Sequence, residues 1–345
     1  MKRISAFVKL GDFLKNIHSK DLEKYSASFD EIIHNHHQSN PWFIEENVRV
    51  AINSIAETLN EESLVKWMNL YEKKINKINY QAKRVGVVMA GNIPLVGFHD
   101  FLCVLMSGNK FFGKLSSQDN KLLPAIAEIL IEIEPDFKNY IEFTEERLNS
   151  FDAIIATGSD NTSRYFDYYF GKYPNIIRKN RNAVAVLSGK ETKEELKELG
   201  KDIFMYFGLG CRNVSKLYVP EDYKFDSFFE AIFEYKNVAQ YHKYMNNYEY
   251  NRSIFLLSQI KHFDNGFLLL KEDQTISSRI AVLNFEYYKN TKDVNSILKS
   301  NTEKIQCIVS NASEIDSAIP FGQTQNPQLW DYADGVDTME FLLNL

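Results

Sequence analysis

Residues 84–117, RVGVVMAGNIPLVGFHDFLCVLMSGNKFFGKLSS, decide the fold class. The stretch opens on Val85-Gly86-Val87-Val88-Met89-Ala90, a continuous apolar run with β-branched residues. That is the pattern of a strand buried on both faces of a parallel sheet. Gly91-Asn92-Ile93-Pro94 interrupts the run as a loop, residues 95–106 read as an apolar helix, and residues 110–114 read as the next strand. The alternation continues outward, with a helix over 121–133 and the strand Ala153-Ile154-Ile155-Ala156-Thr157, stopped at Gly158. A helix over 160–171 and a strand over 183–187 follow. Strands and helices alternating at this length predict an α/β fold built on a doubly wound parallel sheet.

On either side the pattern changes. The first eighty residues read as helices, with Leu14, Ile17, Leu22 and Tyr25, then Val48, Ala51, Ile52, Ile55 and Ala56, near helical spacing. Ser39-Asn40-Pro41 marks a break between two of them. Beyond Gly208-Leu209-Gly210 the spacing predicts strands over 214–219, 280–285 and 305–309 and a helix over 225–235, a second α/β domain. The expected division is a helical N-terminal segment and first domain over 1–204 and a second domain over 205–310, with 311–345 returning to the first.

A chain of 345 residues buries a substantial core without disulfides or a structural metal. Forty basic residues against 46 acidic give a formal charge of −6, a balance that argues against a dedicated nucleic-acid binder. Cys103, Cys211 and Cys307 form neither a disulfide framework nor a zinc knuckle. The N-terminal apolar run is broken at Lys9 and Asp12, so no signal-peptide core is expected. The apolar residues 85–106 are interrupted by Asn92, Pro94, His99 and Asp100, a poor membrane span. A soluble cytoplasmic protein is expected. The cluster His34-Asn35-His36-His37 can be read as a metal site, but His36 and His37 are adjacent and no nearby Cys completes it. A solvated helix end is the expectation, and no metal is predicted.

Several positions can carry chemistry. Cys211 lies in Phe207-Gly208-Leu209-Gly210-Cys211-Arg212-Asn213, where the glycines let the backbone turn sharply and approach a ligand. A thiol there is a candidate nucleophile, and Arg212 or a helix end can lower its pKa. A loop cysteine of no consequence fits the local sequence equally. Cys103 and Cys307 sit in apolar runs and read as core. Asn92 follows a buried strand, at the carboxyl end where open α/β sheets bind ligands. Its amide can donate to a developing oxyanion or serve only the turn. Lys114-Leu115-Ser116-Ser117 ends the next strand and offers an ammonium and two hydroxyls to ribose or phosphate, or an exposed lysine and a helix cap. Thr157-Gly158-Ser159 follows a strand and opens a helix, a candidate pyrophosphate turn.

Taken in order, these parts resemble the aldehyde dehydrogenase superfamily. Within it, residues 85–117, 154–159, 182–187, Gly322-Gln323-Thr324-Gln325 and 331–338 are similar to the luminescence-type fatty acyl-CoA reductases, the LuxC family. The resemblance runs from about residue 84 to the C-terminus. It implies an aldehyde dehydrogenase-like fold, with a cofactor domain and a second α/β domain carrying the nucleophile. It further implies Cys211 as that nucleophile and Asn92 with the Cys211 N–H as oxyanion donors. Lys114, Ser116, Ser117, Thr157, Gly158 and Ser159 would hold the cofactor. Hydrolytic members carry a general-base Glu in Glu-Leu-Gly-Gly, whereas the corresponding stretch here is Arg178-Lys179-Asn180-Arg181-Asn182, with no carboxylate. The second Glu of the superfamily has only Glu272 as a counterpart in about the right region. NAD-preferring relatives commonly carry a Glu three residues after the ribose lysine, where Ser117 stands here.

The expectation is therefore an acyl-CoA reductase that forms a fatty aldehyde with NADPH through a cysteine thioester, acting as a homo-oligomer. Two rivals are a cysteine acyltransferase or thioesterase pairing Cys211 with His99 or His242, and a non-catalytic acyl-binding subunit.

Overall fold

Residues 2–17, 22–75, 81–158 and 160–345 are described by the structure, a computed structural model. Met1, Ser159 and residues 18–21 and 76–80 lie outside that set. The chain divides into two units, residues 1–179 with 328–345, and residues 180–327.

The first unit begins with helices α1 (Lys2–Lys15), α2 (Glu23–Ser39), α3 (Glu45–Thr58), α4 (Glu61–Asn69) and the short α5 (Glu72–Ile75). Then come β1 (Arg84–Val88), α6 (Phe98–Met106), β2 (Lys110–Lys114), α7 (Leu122–Ile133), β3 (Ile141–Thr144), β4 (Ala153–Thr157), α8 (Asp160–Phe170) and β5 (Asn175–Arg178). The five strands form one parallel sheet in the order β3-β2-β1-β4-β5, so the chain reverses direction across the sheet at β1. The apolar run 85–88 needs a cover on each face, and α6 supplies one. That helix buries Phe98, Phe101, Leu102, Cys103, Val104, Leu105 and Met106, because it sits between the sheet and the N-terminal helices rather than at the surface. Phe7, Leu10, Phe29, Ile33 and Trp67 from those helices join the same core. Each such side chain contributes roughly 1.5–3 kcal/mol over its exposed state.

The second unit comprises β6 (Asn182–Val186), α9 (Lys193–Phe204), β7 (Val214–Pro220), α10 (Asp226–Ile232), α11 (His242–Leu257), β8 (Phe263–Asp264), β9 (Leu269–Glu272), β10 (Val282–Tyr288), α12 (Thr291–Ser300), β11 (Ile305–Val309) and β12 (Ala318–Ile319). Its sheet runs β12-β11-β6-β7-β10-β9-β8 and is parallel except for the β8–β9 pair. The helix α9 starts at a capping box in which the Thr192 hydroxyl accepts from the Glu195 N–H and the Glu195 carboxylate accepts from the Thr192 N–H. The chain then returns to the first unit as α13 (Thr338–Leu343).

The unit boundary falls at 179/180, not 204/205. A strand forms at 182–186, one residue before the expected 183–187, but it pairs with β7 and β11 rather than with the first sheet. The return begins at 328 rather than 311, because β12 pairs with β11 and Asp202 on α9 holds Gly322 and Thr324. The returning segment is tied to the first unit by polar groups. The Trp67 indole donates to the Tyr332 hydroxyl at 2.7 Å, the Tyr71 hydroxyl donates to Asp337 at 2.7 Å, and Asn109 donates to the Leu342 carbonyl at 3.1 Å. Arg178, at the end of β5, is buried with a two-pronged contact to Asp100 (2.5 and 2.8 Å) and donates to the Thr338 hydroxyl at 3.0 Å. Removing one partner of such a buried pair typically costs about 3–5 kcal/mol.

Candidate active site

Three of the predicted segments leave the carboxyl edge of three neighbouring strands in the first unit. Val88 of β1 pairs with Lys114 of β2 on one side and Ala156 of β4 on the other. The Asn92 loop, the 114–117 segment and the Thr157-Gly158 turn thus emerge side by side, at the reversal in strand order where ligands bind open α/β sheets. Lys114 donates from Nζ to the Glu145 carbonyl at 2.9 Å, the Ser116 hydroxyl accepts from the Gln118 N–H at 3.2 Å, and Ser117 is exposed. The Gly158 N–H donates to the Arg178 carbonyl at 3.4 Å, which ties the turn to β5. An ammonium, a hydroxyl and a strand-to-helix turn at one sheet edge suit the sugar and phosphates of a dinucleotide. Ser159, the third residue of that turn, lies outside the described residues.

The Asn92 loop is held closely. A Cβ on Gly91 would fall 2.3 Å from the Ser116 Oγ, so only glycine allows this approach. Leu95 adopts a left-handed φ of 57°. Its N–H donates to the buried Asp119 carboxylate at 2.9 Å, and His36 donates from Nε2 to the other oxygen of that carboxylate at 3.2 Å. His36 is 1% exposed and packs its ring against Phe43. The expectation of a solvated helix end is therefore overturned at this residue: the helical turn points His36 inward toward the 116–119 turn. His34 stays outside, against Glu45, while the Nδ1 of His37 faces the His34 carbonyl.

The Cys211 loop lies in the second unit, between α9 and β7. Tyr206 and Phe207 have φ values of 50° and 58°, and Gly208 follows at 76°. Two successive non-glycine residues in the left-handed region cost on the order of 1–3 kcal/mol each and persist only when the surroundings hold them. Here the Phe207 ring packs against Tyr241 and Tyr244. The Asn213 carboxamide spans the loop, accepting from the Gly210 N–H at 2.8 Å and donating to the carbonyls of Asp202 and Met205 at 3.0 and 2.8 Å. Arg212 donates from Nε to the Thr324 carbonyl, so the residue read as an activator of the thiol also fastens the loop. Asp202 accepts from the N–H groups of Gly322 and Thr324 and from the Thr324 hydroxyl. Burial pushes the Asp202 carboxyl up, and those three donors oppose the shift.

The Cys211 thiol is half-exposed and donates to the Asn180 carboxamide oxygen at 3.9 Å. Asn180 belongs to the stretch 178–182 that carries no carboxylate, and an asparagine among basic residues gives no sequence signal that it meets Cys211. Of the other cysteines, Cys103 is buried and burial pushes its thiol well up. Cys307 is only half-buried, because β11 is less covered than its apolar sequence suggests. His99 does not behave as a base poised for solvent-borne substrate. Its Nε2 bonds the Leu329 carbonyl, its Nδ1 faces the Cys103 sulfur, and burial pushes its pKa down. His242 is exposed at the start of α11, and Glu272 ends β9 with an exposed side chain. Among the described residues no helix is long and apolar enough to cross a membrane.

The sequence model of the acyl-CoA reductase (LuxC) family matches residues 5–234. No curated protein matches the sequence. Among solved structures, aldehyde dehydrogenase 21 from Physcomitrella patens, in complex with the product succinate, superposes with a TM-score of 0.68 at 13% identity, over 99% of this chain and 83% of that one. The NAD+ complex of an aldehyde dehydrogenase from Bacillus cereus gives 0.57 at 13% identity, over 85% and 68%. A variant of aldehyde dehydrogenase C from Pseudomonas syringae, with NAD+ and octanal, gives 0.57 at 10% identity, over 86% and 70%. At these identities the likeness establishes an aldehyde dehydrogenase fold, as the resemblance implied.

Proposed function

The chain belongs to the acyl-CoA reductase (LuxC) family, and on that premise we propose that it reduces the acyl group of an acyl-CoA to an aldehyde through a thioester on Cys211, with NADPH as reductant. The Cys211 thiolate attacks the thioester carbonyl, the carbonyl electrons move onto oxygen, and collapse expels CoA as its thiolate. The Cys211 N–H and the Asn92 carboxamide are assigned as donors to that oxyanion. Lys114, Ser116, Ser117, Thr157, Gly158 and Ser159 are assigned to the cofactor. When bound, the reduced nicotinamide supplies the hydride that takes the acyl group to the aldehyde level. Assembly as a homo-oligomer belongs to the same proposal.

One observation carries this reading. The Cys211 thiol donates to the amide oxygen of Asn180 in the stretch 178–182, which carries no carboxylate, and an amide oxygen is too weak a base to take a proton from water. An acyl group on Cys211 is then held for reduction rather than lost to hydrolysis. The strained backbone that presents Cys211 supports the same assignment, since such strain collects at functional sites.

The test is acyl-CoA supplied without nicotinamide. The enzyme is expected to release about one CoA per chain and stop, and peptide mapping should find the acyl group on Cys211. Adding NADPH should discharge it as aldehyde, and Cys211→Ala should never acquire it. Continuous release of CoA and free acid would make the protein a thioesterase, and no release would make it a binding subunit. A stable acyl group on Cys103 or Cys307 would move the nucleophile.

A further inference from the structure

The histidine cluster on α2 has no part in the chemistry above, yet one of its members, His36, is buried beside the Asn92 loop. We infer that His36 and Asp119 are positioning residues that hold the Asn92 loop in its working shape, an inference that rests on the assignment of Asn92 as an oxyanion donor. Asn92 lies between two anchor points, and both belong to one turn. At one end Gly91 abuts Ser116, so closely that a Cβ would sit 2.3 Å from Oγ and 2.8 Å from Cβ of that residue. At the other end the Leu95 N–H donates to Asp119 at 2.9 Å. Ser116 and Asp119 are themselves joined, the Asp119 N–H donating to the Ser116 carbonyl at 3.1 Å. The turn 116–119 therefore grips the loop on both sides of Asn92.

The turn is in turn backed by α2. His36 donates to the Asp119 oxygen not used by Leu95, at 3.2 Å, which turns the carboxylate so that its second oxygen faces the Leu95 N–H. Asn40, just past the end of α2, donates to the Gln118 carbonyl at 3.3 Å. The left-handed φ of 57° at Leu95 makes the arrangement demanding. A leucine rarely adopts that conformation unaided, and the Asp119 oxygen is what rewards its N–H for pointing there. His36 and Asp119 are both buried, so neither is placed to meet substrate directly. An oxyanion donor misplaced by about an ångström can lose a hundredfold in rate, which is the scale on which such a support acts.

The experiment is a double-mutant cycle with steady-state kinetics on the full chain, reading thermal unfolding alongside. Asp119→Ala is expected to lower kcat about 10- to 100-fold, with little change in KM for acyl-CoA. In an Asn92→Ala background the same substitution should change kcat less than about twofold, because its effect runs through Asn92. Equal losses in both backgrounds, or a lowered melting temperature with full kcat per folded molecule, would overturn the relay while leaving Asn92 in place. An Asn92→Ala variant with wild-type kcat would instead overturn the assignment of Asn92, and the relay's purpose with it. His36→Leu and His36→Gln keep the inference testable if Asp119→Ala does not fold. Leucine should lower kcat severalfold and glutamine, which can present an N–H in place of Nε2, should restore it. Two equally active variants would remove His36 from the relay.

Discussion

The loop that carries Asn92 and the loop that carries Cys211 are both short connections out of a buried element, and both contain left-handed residues. They are held by opposite means. Around Asn92 the backbone is pinned by a buried carboxylate 24 residues further on and by a glycine that tolerates contact with Ser116. Around Cys211 the strain is greater, with Tyr206 and Phe207 in succession, and it is held by ring packing and by one carboxamide that bridges the loop locally. A polar relay fixes where a side chain points while letting the rest of the loop stay short. Aromatic packing around a strained turn fixes the height at which Cys211, the proposed nucleophile, stands.

The sharpest way to break this comparison is Asn92→Ala. If the first loop exists to present a donor, kcat should fall on the order of 10²–10³ with little change in acyl-CoA affinity, as measured by steady-state kinetics. A loss of melting temperature with retained activity per folded molecule would reduce Asn92 to a turn residue. Asn180→Asp probes the second loop through its chemistry. Installing a carboxylate at the Cys211 sulfur should let CoA release continue without nicotinamide, with deacylation faster by up to about 10²-fold, the lower end of what a positioned base provides. Asn213→Ala tests the bridging carboxamide. It should destabilise the protein by about 1–3 kcal/mol in denaturant unfolding, because the Gly210 N–H and two carbonyls lose their partner, and it should slow acylation more than it changes cofactor affinity. The smallest effect belongs to the segment proposed to hold the cofactor, beside the first loop. Ser117→Glu should move the ratio of kcat/KM for NADPH over NADH toward NADH by about tenfold, roughly one charge contact near a 2′-phosphate, without altering the single release of CoA. A wild-type preference for NADH would defeat that argument.

The same contrast explains how much was legible in the sequence. The strands at 110–114 and 305–309 were readable to the residue, because each is a run of residues suited to a covered sheet and bounded by turn formers. The Asn92 loop was readable because Gly91 and Pro94 mark it. The strain at Tyr206 and Phe207 was not, since two apolar aromatic residues carry no sign of a left-handed backbone. The strand at 182–186 was visible as a strand but placed in the wrong unit. Periodicity reports how deeply a strand is buried, not which neighbours it pairs with. His36 was misjudged because its partner Asp119 lies 83 residues away. Asn180 stands in a basic stretch, and only its distance to Cys211 singles it out from its neighbours.

The return of residues 328–345 to the first unit has a consequence for how the chain is made. As the protein leaves the ribosome, residues 180–327 are complete while Trp67, Tyr71, Asn109 and Arg178 still await Tyr332, Asp337, Leu342 and Thr338. The first unit, although begun first, is the last to close. During that interval the core shared by α6 with Met339, Leu342 and Leu343 lacks those three side chains, and transiently exposed apolar surface of this kind is prone to association. Asn109 and the Leu342 carbonyl, 233 residues apart, meet only after loop-closure entropy has been overcome, so this closure is slow compared with the local helix contacts of the same unit.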